Sequence, residues 1–249
     1  MSSDQIVFFD LASKPPNSTW SFNPWKTRLL LNYKGLDYRT EWLEFPAIKP
    51  RLENLVAPHE KEPGAIAQYT VPAITLPNGT TVMDSDKIAR IIAERYPSPA
   101  LPVDTPRLEK VQGLVQHLMG DDLVGFLAVY IPERMLNEAS VHHWHVQRPK
   151  DFGMPLRELY RAKGGLAVWT TTARTTMRTI TGMLNENSEG PLFEGKDLTY
   201  ADFVWAGALL FLKRFGDDVW ERTLAATGDA KATEEFLGAL RPWTERCTY

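Results

Sequence analysis

Two short polar stretches stand where a chain could do chemistry. The first is Ser21-Phe22-Asn23-Pro24-Trp25, a hydroxyl and an amide at the point where a helical pattern begins. The second is Asp84-Ser85-Asp86, which stands just before Ile88, Ile91 and Ile92 at helical spacing. A helix start leaves backbone N–H groups without partners, so Ser85 or Asp84 can accept from them. The same end of a helix suits a bound carboxylate. Ser21 has a plain alternative as an ordinary cap, and Ser18, Thr19 and Asn23 compete with it for any chemical role. His142, His143 and His145 fall within four residues and could bind metal. On a helix only His142 and His145 share a face and no Asp or Cys lies alongside, so a surface loop is the better reading and no metal site is expected. His117 is expected to be a packed or surface residue.

The elements that position these stretches follow from pattern. Ile6–Leu11 reads as a buried strand, and a helix is expected from Pro24 or Trp25 to about Lys34, with Gly35 at its left-handed stop. Asp37–Phe45 alternates as a second strand. A short helix is expected near Ile48–Val56, followed by an exposed loop through His59–Pro63. Val71–Leu76 and Thr80–Met83 are β-rich runs around Asn78-Gly79, a pair that favours a type I′ hairpin. Four prolines between Pro97 and Pro106 mark a linker over 98–106.

Beyond the linker the pattern turns helical. Leu108, Val111, Leu114, Val115 and Leu118 form one amphipathic face. Residues 133–154 have a broken pattern, and Leu156–Met183 reads as one long helix. Leu198-Thr-Tyr-Ala-Asp-Phe203 has Thr199 and Asp202 at capping-box spacing, with Leu198 and Phe203 placed for a hydrophobic staple. The strongly apolar run after it is expected to be a buried central helix, and a last helix is expected over Thr233–Leu240.

Composition removes several function classes. The 249 residues carry a formal charge of −3, with 43% hydrophobic residues. Scattered Lys and Arg give no nucleic-acid footprint. The sole cysteine, Cys247, excludes an internal disulfide framework and a CxxC redox centre. No apolar run reaches the ~18–20 residues of a membrane span, and no signal peptide is evident. A cytoplasmic protein without membrane contact is expected.

The order Val71-Pro72, hairpin, Asp84-Ser85, helix resembles the glutathione-binding signature of the glutathione transferases. That resemblance implies an α/β thioredoxin-like N-terminal domain over residues 1–97 and an all-α helical domain over 107–249 that forms the apolar substrate pocket. It implies a cis Pro72, with Val71 pairing its backbone to the cysteinyl unit of glutathione, and Asp84 and Ser85 holding the γ-glutamyl end. The stretch Ser21-x-x-x-Trp25-Lys26-Thr27-Arg28 resembles the helix start of bacterial lignin β-etherases and related fungal transferases. It implies Ser21 as donor to the glutathione thiolate, with Asn23 as a second donor. Phe8 and Phe9 occupy the place of a tyrosine-type hydroxyl, and no cysteine is available there for a thiol-transferase.

The implied activity is attack of glutathione thiolate on electrophilic aromatic or aryl-ether carbon, as in detoxification or the turnover of wood-derived phenolics. The alternative is a ligandin-type carrier of aromatic molecules with incidental transferase activity. Trp20, Phe22, Trp25, Phe126 and Tyr130 are candidates for an aromatic pocket wall, although core packing explains most of them equally well. Lys49 and Arg51 are candidates for the glycyl carboxylate, weighed against plain solvated cations. Glutathione as co-substrate, no metal, and a homodimer complete the expectation.

Overall fold

The computed structural model describes residues 5–59 and 67–248. The loop expected through His59–Pro63 therefore lies mostly outside the described residues. A four-stranded sheet forms the first half, in the order β2-β1-β3-β4. Strand β1 (Ile6–Leu11) is apolar but for one aspartate, and all six residues are buried. It pairs in parallel with β2 (Tyr38–Leu43), Ile6 opposite Tyr38. On its other side it pairs antiparallel with β3 (Ala73–Thr75), Phe9 opposite Ala73. Strand β4 (Thr81–Met83) closes the sheet against β3. Helices α1 (Phe22–Tyr33), α2 (Ile48–Leu52) and α3 (Ser85–Arg95) complete the thioredoxin-like order.

The hairpin between β3 and β4 is not the type I′ turn that Asn78-Gly79 suggests. Gly79 N–H donates to Leu76 C=O at 2.8 Å, and Leu76 N–H to Thr80 C=O at 2.9 Å. Gly79 has φ 85°, whereas the only described non-glycine residue with positive φ is Asp84. The turn therefore runs Leu76-Pro77-Asn78-Gly79, with the glycine closing it in the left-handed position. Pro77, fixed at negative φ, takes the first central place, which moves the glycine out of the two-residue loop.

The helical half comprises α4 (Pro106–His117), α5 (Val124–Arg134), α6 (Glu138–Phe152), α7 (Leu156–Ala162), α8 (Thr172–Asn185), α9 (Tyr200–Lys213), α10 (Asp217–Thr227), α11 (Ala230–Ala239) and α12 (Arg241–Thr244). The single long helix expected over Leu156–Met183 is broken. Gly164 and Gly165 both adopt positive φ, 87° and 56°, and a 3₁₀ turn over Gly165–Thr170 reorients the chain. Two adjacent glycines in that conformation stop a helix outright. The histidine cluster sits on α6 rather than on a loop; His142 and His145 are exposed. Among the described residues no group of three or more His, Cys, Asp or Glu could hold a metal. His117 is exposed beside Asp121 and Asp122.

Helix α9 is the centre of the molecule. Its capping box is complete: Asp202 accepts from the Thr199 N–H at 2.8 Å, the Thr199 side chain accepts from the Asp202 N–H, and the Thr199 hydroxyl also lies 2.9 Å from the Asp202 carboxylate. The same carboxylate also accepts from the Phe193 N–H at 3.0 Å. One face of α9 packs on α1, and there Gly207 keeps the two backbones close. A Cβ on Gly207 would lie 2.7 Å from the Phe22 carbonyl oxygen. A second tie runs from residues 243–247 back to the sheet. Asn32 Nδ2 donates to the carbonyls of Trp243 and Arg246 at 2.7 and 3.1 Å. The Arg246 guanidinium stacks 3.8 Å over the Tyr38 ring, and Thr19 N–H donates to Cys247 C=O at 2.9 Å.

Under the sheet lies a buried ion pair. Arg28 of α1 meets Asp10 of β1 at 3.2 Å with both side chains 0% exposed. Thr19 hydroxyl donates to the same Asp10 oxygen at 2.6 Å, and Arg28 also donates to Thr40 Oγ1 at 2.9 Å. These further bonds offset part of the cost of taking the two charges out of water. It anchors the loop that leads into α1.

Candidate active site

Ser21 is the N-cap of α1, with φ −74° and ψ 143°. Its carbonyl accepts the first helical bond, from Trp25 N–H at 3.1 Å. Its hydroxyl makes no cap bond, unlike the Thr105 hydroxyl, which caps α4 through Leu108 N–H at 3.0 Å. Asn23 lies in the first turn beside it and is half-buried. A half-buried hydroxyl at a helix start, unused by the helix, is free to donate outward.

The Val71-Pro72 bond is cis. Val71 lies outside the β1–β3 ladder, which stops at Ala73. The Pro72 carbonyl accepts from Asp84 N–H at 3.2 Å, which joins the cis-proline loop directly to the start of α3. Asp84 is the N-cap of α3 at φ 89°, a backbone region that costs a non-glycine residue about 1–3 kcal/mol. Its Oδ1 accepts from the N–H groups of Asp86 and Lys87 at 2.8 and 3.2 Å. Ser85 follows, 8% exposed.

Helices α1 and α3 pack together, so the helix that Ser21 opens lies against the one that Asp84 caps. Sequence reasoning missed the charges between them. Lys26, one turn into α1, is 8% exposed, with its ammonium 5.4 Å over the Phe22 ring. Burial lowers its pKa, and the carboxylates of Asp86 and Asp84 oppose that. Burial likewise raises the Asp86 carboxyl, with Lys26 pulling it back down. Gln112 of α4 donates to Asp86 Oδ1 at 2.8 Å, and the Tyr200 hydroxyl of α9 donates to the Ser85 carbonyl at 3.0 Å. Only Lys26 carried a signal, as a charge one turn inside an otherwise apolar helix face.

Three of the five candidate aromatics are buried. Trp20 and Phe126 are each 1% exposed and Trp25 6%. Trp20 packs 6.0 Å from Phe211 and donates its indole N–H to the Ala12 carbonyl at 3.3 Å. Phe126 stacks on Tyr130 at 4.2 Å and meets Trp169 edge-on at 5.3 Å. These three rings fill the core, where large apolar side chains gain most from leaving water. Phe22, 5.9 Å from Phe211, and Tyr130 keep part of their surface exposed. Arg51 is held by Glu41 through two bonds, at 2.5 and 3.0 Å, and lies over Phe9; Lys49 is exposed.

No single helix among the described residues is long and apolar enough to cross a membrane. The family model for the glutathione S-transferase N-terminal domain matches residues 20–95, and that for the C-terminal domain matches residues 110–243. The glutathione S-transferase-like protein ustS of Aspergillus flavus is 29% identical over 234 residues, covering 88% of this chain and 84% of that protein. Glutathione transferase GSTFuA2 of Phanerochaete chrysosporium superposes with a TM-score of 0.81 at 28% identity, over 98% of this chain and 100% of the other. CsGST63524 of Ceriporiopsis subvermispora, solved in complex with glutathione, gives 0.79 at 27% identity, over 96% and 98%. With two domain models covering most of its length and a thioredoxin-like sheet followed by a helical half, the chain belongs to the glutathione S-transferase family.

Proposed function

We propose that this protein activates the glutathione thiol through Ser21 and directs it at an electrophilic aromatic carbon. The observation that carries the reading is the Ser21 hydroxyl, placed at the start of α1 and not spent on capping it. A free thiol titrates near 8.5, and a helix N-terminus lowers that value. A hydroxyl donated to the sulfur favours the charged form further. Asn23 supplies a second donor from the same turn. Val71, outside the strand ladder, offers its N–H and C=O to the cysteinyl backbone.

The γ-glutamyl end has both charges to satisfy. Asp84 uses Oδ1 on the helix N–H groups, and its Oδ2 faces the ligand's ammonium. The ligand's carboxylate takes the Ser85 hydroxyl and N–H at the start of α3, where the helix dipole favours it. The thiolate then attacks the electrophilic carbon, a carbon–sulfur bond forms, and the halide or aryloxide leaves with the electron pair. The thiol proton has already passed to solvent. Phe22 and Tyr130, the two candidate aromatics that keep exposed surface, support an aromatic partner. A homodimer and a cytoplasmic setting belong to the same reading; sedimentation of the purified chain checks the first.

Titration calorimetry with glutathione tests the first step, and turnover of an aryl halide tests the second. Saturable binding with turnover is expected. Tight binding of polyphenols with no turnover would convert the protein into a carrier. No heat with glutathione would remove the reading altogether.

A further inference from the structure

The start of α3 is held from outside its own domain. The peptide between Ser85 and Asp86 is pinned at both ends: its N–H donates to Asp84 Oδ1 at 2.8 Å, and its C=O accepts from Tyr200 Oη at 3.0 Å. Tyr200 is the first residue of α9 and is 1% exposed. Its own place is fixed by the Thr199–Asp202 capping box and by its N–H, which donates to the Pro102 carbonyl at 3.0 Å. The next residue of α3 is held from the helical half as well, because Gln112 Nε2 donates to Asp86 Oδ1 at 2.8 Å. Two residues of different helices thus reach across to the turn that carries Ser85.

We propose that Tyr200 and Gln112 are positioning residues for the γ-glutamyl subsite, setting the angle at which Ser85 and the first N–H groups of α3 meet the ligand. The proposal rests on the glutathione reading of that subsite. Neither residue touches glutathione; Tyr200 acts through the Ser85 carbonyl and Gln112 through the Asp86 carboxylate. Without the bonds from Tyr200 and Gln112 the first turn of α3 is held only by its own helix and cap bonds, and it can tilt so that the Ser85 hydroxyl and N–H no longer converge on one carboxylate. The Tyr200 bond is already made in the free protein, so its loss weakens binding by at most what the bond contributes, a ceiling of about twelvefold in affinity. The orientation matters for the γ-glutamyl unit alone. The thiol is activated at the start of α1 and does not depend on it.

The test is Tyr200→Phe, which keeps the buried ring and removes only the hydroxyl. The expected result is a rise of about fivefold in the dissociation constant for glutathione, a matching rise in KM, and an unchanged kcat at saturation. Cysteinylglycine, which lacks the γ-glutamyl unit, is the control thiol. Its kcat/KM should be the same in Tyr200→Phe and in the wild type. Equal glutathione affinity in the two proteins would overturn the proposal while leaving the transferase reading intact. An equal loss with both thiols would also overturn it, since that marks a general loosening. Absence of glutathione binding by the wild type would sink the transferase reading and this proposal together. Gln112→Leu tests the same turn through Asp86, so the outcome does not depend on Tyr200→Phe folding. It should raise the glutathione constant about twofold or more and leave cysteinylglycine unaffected.

Discussion

Replacing Ser21 by alanine separates two roles that a serine before a helix can play. A serine whose side chain caps a helix contributes about 1 kcal/mol to folding. Ser21 makes no such bond, and the bond it does make to the helix uses its carbonyl, 3.1 Å from Trp25 N. Ser21→Ala should therefore change the unfolding free energy by less than about 0.5 kcal/mol. The loss at the thiolate is larger. A hydrogen bond to a charged group contributes about 1.5–3 kcal/mol, which is about 12- to 150-fold in rate. The same energy moves the bound thiol's pKa up by about one to two units. Three measurements suffice: a urea unfolding curve, kcat with an aryl halide, and the ultraviolet titration of the bound thiolate. An unchanged kcat would take Ser21 out of the mechanism. A stability loss near 1 kcal/mol with an unmoved thiol titration would return it to the role of a cap.

Asp202→Ala strips three donors of their acceptor, two of them buried N–H groups. At about 1–3 kcal/mol for each orphaned group, the urea midpoint should fall by an amount equivalent to roughly 3–5 kcal/mol, and a loss under about 1 kcal/mol would contradict the bonding described. Gly207→Ala forces a methyl to within 2.7 Å of the Phe22 carbonyl. It should cost about 1–3 kcal/mol and reduce turnover, because Phe22 adjoins Ser21; an unaltered melting temperature would refute the close packing of α1 on α9. Asp218 is held below its ordinary 3.8 by its bonds to Arg134, and Asp229 by the Ala232 N–H and then Asn185. A lowered carboxyl stabilises the fold above the unfolded value and loses that contribution as pH falls through the folded one. Melting temperature should therefore drop below about pH 4, and the Asp218→Asn, Asp229→Asn double variant should show a shallower acid limb; parallel limbs would exclude both residues as its cause.

What could be read from the sequence was what local chemistry decides. The six buried residues of β1 and the box at Thr199 and Asp202 need no tertiary information. The cis bond at Pro72 was a different matter: nothing beside it in the sequence demands that isomer, and only the order of neighbouring motifs implied it. Turn type depends on Pro77, whose fixed φ outweighs the preference of Asn78-Gly79. The long helix across Gly164-Gly165 was drawn from apolar spacing, which two positive-φ residues override. α10 carries little sequence signal, because two of its four buried residues are threonines, Thr223 and Thr227 beside Val219 and Ala226. Trp20, Trp25 and Phe126 show the limit for sites. Residue type says that a ring is apolar, and only packing says whether it faces a ligand or another ring. The same limit hid Tyr200 and Gln112, whose partners lie 115 and 26 residues away.

Residues 243–247 lie across α1 and β2, and α1 rests on α9. Although the fold is described as two successive modules, its apolar interior passes from one to the other without a seam. Such modules cannot be exchanged between relatives like cassettes. A chimera that takes its sheet from one parent and its helices from another must inherit α1, α9 and the 243–247 strap from the same parent, or the graft will leave a glycine-sized mismatch at the joint.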